Sequence, residues 1–113
     1  MLVFENEKQV RHAVCDLAKA ANIDLSGIVI TAHGDGVDFV SRYFAPKIGI
    51  NEDPVTGSTH TLLAPYWQGV LGKTEFVARQ LSARGGTLHL QISNNRLKIG
   101  GRAITYLVGE ILI

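Results

Sequence analysis

The chain has 113 residues, 46% of them hydrophobic and 19% charged, with a formal net charge of +1. That length fits one domain with one core, and near-neutral charge without a basic patch or aromatic-basic interleaving argues against nucleic-acid binding. A single cysteine excludes an internal disulfide and suits a reducing cytosol, so a cytoplasmic location is expected.

Residues 1–7 have no basic region and no long apolar core, so no signal peptide is expected. No segment approaches membrane-spanning length. Residues 2–4 form a short apolar strand candidate. Residues 5–21 read as one amphipathic surface helix, with Val10, Ala13, Val14, Leu17 and Ala21 on one stripe. Asn6 is its N-cap candidate, and Glu7 lies near the favourable end of the dipole. His12 and Cys15 fall on the opposite side with no partner at ligand or nucleophile spacing, and read as spectators. Residues 27–32 are short, apolar and β-branched, as in a buried strand. His33-Gly34-Asp35-Gly36 reads as a turn rather than a dyad. Residues 38–45 follow as a strand, with Phe39, Ser41 and Tyr43 on one face and Val40, Arg42 and Phe44 on the other. Arg42 among apolar neighbours needs water or an acid, and Glu52 is a candidate partner.

Residues 46–57 form a polar loop in which Asp53-Pro54 and Thr56-Gly57 are breakers. Residues 58–71 then contain no Asp, Glu, Lys or Arg, and Leu62, Leu63, Tyr66, Trp67, Val70 and Leu71 cover at least half the helical circumference. A helix that apolar is expected inside a core. Pro65 should bend it, and Gly69 and Gly72 mark its end. The first turn of such a helix carries unpaired N–H groups at the positive end of the dipole. With Ser58 or Thr59 as cap and Gly57 allowing close approach, it is a possible carboxylate or phosphate site, with Asp53 at its rim. On residue types alone, an Asp53 that makes only a turn and a Ser58 that is only an N-cap stand ahead of that reading. His60, in the first turn, is expected to pack and hydrogen-bond locally.

Residues 75–82 alternate as a strand. In residues 87–93, Leu88, Leu90 and Ile92 point inward, and His89 and Gln91 outward. Asn94-Asn95 suits a two-residue hairpin turn. Residues 96–99 and 103–113 are two further strand candidates, the last very apolar for a terminus and expected to pair with another strand or lobe. The expected class is α+β: a curved, barrel-like, mostly antiparallel sheet wrapped around a buried central helix, plus one surface helix.

The run Gly49-Ile50-Asn51-Glu52-Asp53-Pro54-Val55-Thr56-Gly57-Ser58, followed by Leu63-Ala64-Pro65-Tyr66-Trp67, resembles the signature of the phenazine-biosynthesis PhzF family. Phe39-Val40-Ser41-Arg42-Tyr43-Phe44-Ala45-Pro46 before it and Gln80-Leu81-Ser82-Ala83-Arg84-Gly85-Gly86 after it are similar to the same family, in the same order. The likeness covers nearly all of the chain from about Gly27, and it reverses the balance for Asp53 and Ser58. It implies a diaminopimelate-epimerase-like lobe, with residues 1–113 a single domain resembling the C-terminal half of a two-lobe protein. In such proteins the active site lies between lobes, where the N-termini of two central helices face each other.

The resemblance also implies chemistry. The related diaminopimelate epimerases and proline racemases use a thiol from each lobe, and this motif carries none, which disfavours a two-thiol racemase. PhzF-like members use a cofactor-independent acid–base proton shift. Carried over by position, Asp53 and Ser58 are the catalytic residues, and the N–H groups of Gly57, Ser58 and Thr59 bind a small carboxylate-bearing molecule. Glu52 and a closed cleft would tune Asp53. The family's main glutamate and its companion histidine belong to the other lobe, and no residue before Gly27 resembles that motif. An isomerase lobe of this kind, expected to need no metal or organic cofactor, would require the missing N-terminal lobe or a homodimer partner. The alternative is a non-catalytic ligand-binding or protein-interaction module that kept the fold.

Overall fold

The alternating apolar pattern of the strand candidates does place them in one sheet. The computed structural model describes residues 1–113, and its six strands lie in sequence order across the sheet: β1 (Leu2–Val3), β2 (Ile28–His33), β3 (Phe39–Phe44), β4 (Glu75–Gln80), β5 (Gly86–Ser93) and β6 (Arg96–Gly100). Three pairings are antiparallel, β2–β3, β4–β5 and β5–β6, while β1–β2 and β3–β4 are parallel. Each parallel pairing is bridged by helix. Helices α1 (Glu7–His12) and α2 (Leu17–Ala21) join β1 to β2, and α3 (His60–Leu71) joins β3 to β4. The two crossovers advance the same way across the sheet between strands running in opposite senses. A common crossover hand then requires their helices on opposite faces.

The core has that arrangement. On one face, Leu63, Ala64 and Trp67 of α3 pack on Val29, Phe39, Phe76, Ala78, Leu88 and Leu90. On the other, Val10 of α1 packs on Ile30, Ala32, Val40 and Phe44. The period-2 alternation of β3 therefore sends Phe39 and Tyr43 to α3, and Val40 and Phe44 to α1, as the sequence predicts. Trp67 stacks on Phe39 with ring centroids 5.5 Å apart. Its indole N–H donates to Thr31 Oγ1 at 3.0 Å, and Thr31 donates onward to the Val40 carbonyl at 2.7 Å.

Four expectations need correction. The sheet is open, with β1 and β6 at its edges, and is not a barrel. The helix α3 lies on one face rather than inside a wrapped sheet: His60, Leu63, Ala64 and Trp67 are buried, but Thr61, Leu62, Pro65, Gly69 and Val70 face solvent. Gly69 sits within α3, and Gly72, at φ 66°, ends it. The single surface helix is two. Ala13 turns extended, and Asp16 starts α2 by accepting the Lys19 N–H at 3.1 Å. The carbonyls of Val10, Arg11 and Ala13, which a continuous helix would satisfy internally, instead accept from Arg42 Nη1 at 3.2, 3.3 and 2.8 Å. Val14 consequently leaves the apolar stripe and is 95% exposed.

The fourth correction concerns residues 103–113, which join no ladder within the chain. Strand-forming residues need a neighbour to pair with, and β6 is the last strand the sheet provides. Ile104, Tyr106, Leu107, Val108, Ile111, Leu112 and Ile113 are all exposed. No helix is long and apolar enough to cross a membrane.

Candidate functional site

The motif loop leaves β3 and doubles back along it. A short 3-10 turn, Pro46–Ile48, ends at Gly49 in the left-handed region at φ 84°, and Ala45 and Ile50 pair across it. Asp53 N–H then donates to the Tyr43 carbonyl at 3.0 Å. Glu52, one residue before, meets Arg42 through both oxygens, at 2.7 and 3.0 Å. This bidentate pair is the strong form of the interaction. It holds Arg42 charged: the hydrogen bonds it donates to Glu52 raise the guanidinium's pKa further, against burial, which lowers it. Arg42 is thus structural, and Glu52 does not stand as a free like charge beside Asp53.

From Asp53 the loop is tied to β4. Thr56 N–H donates to Gln80 Oε1 at 2.8 Å, and Gln80 Nε2 donates to the Asp53 carbonyl at 2.8 Å and to Thr56 Oγ1 at 3.1 Å. Thr56 Oγ1 donates in turn to Asp53 Oδ2. Ser82 Oγ donates to the Pro54 carbonyl at 2.7 Å and accepts the Gly85 N–H at 2.9 Å. Gly86 lies against Val55, with no room for a side chain: a Cβ there would stand 2.4 Å from Val55 Cγ2. Residues 80–86 are therefore the bed on which residues 53–56 rest, a physical reason for the two segments to occur together.

The loop delivers the chain to the N-terminus of α3, at the carboxyl ends of the parallel strands β3 and β4. Open α/β sheets bind ligands outside the carboxyl ends of their strands. None of the N–H groups of Gly57, Ser58 and Thr59 donates a hydrogen bond within the chain. Thr59 is the N-cap residue, but neither it nor Ser58 caps the helix with a side chain. The Thr59 hydroxyl donates to the Thr56 carbonyl at 2.9 Å instead. Ser58 is exposed and its hydroxyl makes no bond within the chain, and a Cβ on Gly57 would meet no protein atom. The cap-only reading of Ser58 is thereby overturned. Asp53 is half-buried and is not hydrogen-bonded to Ser58; its bonded oxygen is committed to Thr56.

His60 packs and bonds locally, as expected. It is fully buried, lies 6.0 Å from the Phe39 ring centroid, and its Nδ1 meets the Thr56 carbonyl at 2.8 Å. A carbonyl only accepts, so Nδ1 carries the proton. The opposite Nε2 is buried without a partner in the chain. Burial pushes its pKa below the ordinary histidine value, outweighing the bond to Thr56, which raises it. His33 and Asp35 are not hydrogen-bonded to each other, and Asp35 N–H donates to Glu7 Oε2 at 2.7 Å. Glu7, expected on a surface, is buried under that turn. Burial raises its pKa, but the Asp35 N–H and the Arg11 guanidinium together hold it below the usual carboxylate range. No group of three or more His, Cys, Asp or Glu side chains converges in a way that could hold a metal ion.

A family model described as phenazine biosynthesis-like protein, PhzC-PhzF, matches residues 1–109. The chain belongs to that family. A Pseudomonas aeruginosa protein named an uncharacterized isomerase is 42% identical to this PhzF-family chain over 111 residues, covering 98% of the chain and 43% of the relative. Phenazine biosynthesis-like domain-containing protein 2 of Mus musculus is 47% identical over 92 residues, covering 75% of the chain and 32% of the relative. Among solved structures, a PhzF-family phenazine biosynthesis protein of Enterococcus faecalis superposes with a TM-score of 0.88 at 45% identity, over 93% of this chain and 41% of that one. The chain spans less than half the length of these relatives.

Sequence reasoning on this PhzF-family chain singled out Asp53, Gly57, Ser58 and Thr59 and missed the two residues that hold Asp53. From the sequence Thr56 reads as part of a turn, and Gln80 as part of a segment similar to the family's. The signal was present in β4, where Phe76, Ala78 and Gln80 share the buried face and the third is an amide where the alternation favours an apolar residue.

Proposed function

We propose that this chain is a PhzF-like isomerase lobe that supports acid–base proton transfer on a small carboxylate-bearing substrate without a cofactor. The observation that carries the reading is the set of three unbonded N–H groups at the positive end of α3, beside a carboxylate held from behind by buried side chains. The substrate carboxylate sits on the N–H groups of Gly57, Ser58 and Thr59. Asp53 and Ser58 hold and relay the proton, while an acid–base group facing them moves it between carbons. That facing group comes from a second lobe in a two-lobe, diaminopimelate-epimerase-like arrangement, or from a second copy of the chain. The name isomerase borne by the Pseudomonas relatives supports the reaction class.

A specific observation favours a second reading, that of a non-catalytic ligand-binding or interaction module. Leu62 and Val70 on α3, and seven large apolar side chains between Ile104 and Ile113, are exposed, and exposed apolar surface can mark an interaction site. One experiment separates the two. The chain, first sized by light scattering over a dilution series, is incubated in deuterium oxide with a panel of small carboxylic acids, and products are weighed by mass spectrometry. The isomerase reading expects deuterium on carbon in an assembled species, lost in Asp53→Asn and Ser58→Ala. Full incorporation by Asp53→Asn would sink the catalytic role of Asp53. Binding of an acid without any exchange, in an assembled species, would establish the second reading.

A further inference from the structure

We infer that Gln80 is the positioning residue of Asp53, acting through the hydroxyl of Thr56, so that the Asp53 carboxylate faces its ligand with Oδ1 free of any bond within the chain. The inference rests on the reading of Asp53 given above and deepens it.

Gln80 is fully buried on the α3 side of β4. A buried amide is costly unless its polar atoms are used, and here each is. Thr56 N–H can only donate, so it fixes the atom it meets as Oε1. The Asp53 carbonyl can only accept, so it fixes the other as Nε2. A flipped amide would set donor against donor and acceptor against acceptor, so the carboxamide has one orientation. The second hydrogen on Nε2 then points to Thr56 Oγ1, 3.1 Å away, which must accept it. The single hydroxyl hydrogen of Thr56 is left for Asp53 Oδ2. The chain of bonds runs one way only, from Gln80 to Thr56 to Asp53.

Two consequences follow. The plane of the Asp53 carboxylate is set from β4, a rigid strand, rather than by the loop that carries it. Oδ2 is permanently engaged, while Oδ1 makes no hydrogen bond within the chain. Oδ1 is therefore the oxygen with both acceptor sites open to a ligand or a proton. A leucine at position 80 would fill the volume but strand the Thr56 N–H and the Asp53 carbonyl, and would set neither.

The test uses the full chain and nuclear magnetic resonance. The wild type should show a slowly exchanging Thr56 hydroxyl proton correlated with the Asp53 carboxyl carbon. Gln80→Glu keeps the shape but has no donor, so Thr56 turns its hydroxyl toward position 80 and the correlation is lost while the remaining amide spectrum is kept. Thr56→Val should shift the Asp53 carboxyl carbon and one of the two Gln80 amide protons, and Thr56→Ser should restore both. Persistence of the correlation in Gln80→Glu overturns the inference. If that variant does not fold, an Asp53 carbon unmoved in Thr56→Val overturns it equally. These outcomes are separate from the fate of the isomerase reading, which turns on deuterium incorporation by Asp53→Asn.

Discussion

Replacing Arg42 with methionine should cost this chain about 3 kcal/mol of stability, and the structure says where the loss arises. The substitution keeps an unbranched apolar side chain and removes the guanidinium, whose Cζ lies 4.8 Å from the Phe44 ring centroid. Glu52 then loses both its hydrogen bonds in a place where the two side chains are only 14% and 24% exposed. Removing one member of a fully buried pair costs about 3–5 kcal/mol; partial exposure reduces this to about 2 kcal/mol. The Ala13 carbonyl, which Arg42 holds at 2.8 Å, adds about 1 kcal/mol as a charge-assisted bond partly replaced by water. The assay is urea unfolding followed by the fluorescence of Trp67, the only tryptophan and 3% exposed. A double-mutant cycle with Glu52→Gln isolates the pair and should give a coupling of about 1.5–2 kcal/mol. The Lys47–Asp24 pair, at the surface, serves as a control and should show no measurable coupling. If Arg42→Met loses under about 1 kcal/mol, or loses as much with Glu52→Gln as without it, the reading of Arg42 as the tie between α1, β3 and the loop is wrong.

The neutral, buried His60 makes stability depend on pH. The unfolded chain takes up a proton that the folded chain refuses, so stability is complete above the unfolded value of 6.5. It falls as pH drops through that value, by up to about 1.4 kcal/mol per unit, and levels off below the depressed folded value. Urea titrations between pH 7.5 and 5 should show this slope in the wild type and lose it in His60→Gln. Thr31→Val should cost about 1–2 kcal/mol, because it strands the indole N–H of Trp67 in the core, and the indole proton resonance should move with it. Gly86→Ala should push Val55 off β5 and cost about 1–3 kcal/mol, shifting the Val55 and Thr56 amides; adding Val55→Ala should restore most of the loss.

Where a feature depends on neighbours in sequence, it was readable. The two faces of β3, the Asn94-Asn95 turn and the Gly72 cap follow from local period and backbone preference, and Asn94 indeed takes φ 53°. The helix over residues 5–21 failed for a non-local reason. Its apolar spacing is sound, but a guanidinium from β3 takes the carbonyls that would have carried it forward. Residues 103–113 have strand composition, yet composition does not supply a partner edge. The openness of the sheet was equally illegible, since alternation specifies two faces and not whether edges meet. Within the site, the motif marked the residues at the mouth. Gln80 was hidden because its role depends on which loop lies over it.

The parallel pairing of β3 with β4 also bears on the order in which the chain acquires its site. Ser41 and Gln80 are register partners 39 positions apart, and closing that distance is slow compared with zipping the β2–β3 or β4–β5 hairpins. Thr56 N–H, bonded to Gln80, can gain protection from solvent exchange only once β4 has docked. Pulse-labelled refolding should show this amide protected later than those of β2 and β3. An intermediate with β1, β2 and β3 paired already ties Asp53 to Tyr43 and Glu52 to Arg42, and still lacks the Gln80 bonds that fix the Asp53 carbonyl and Thr56.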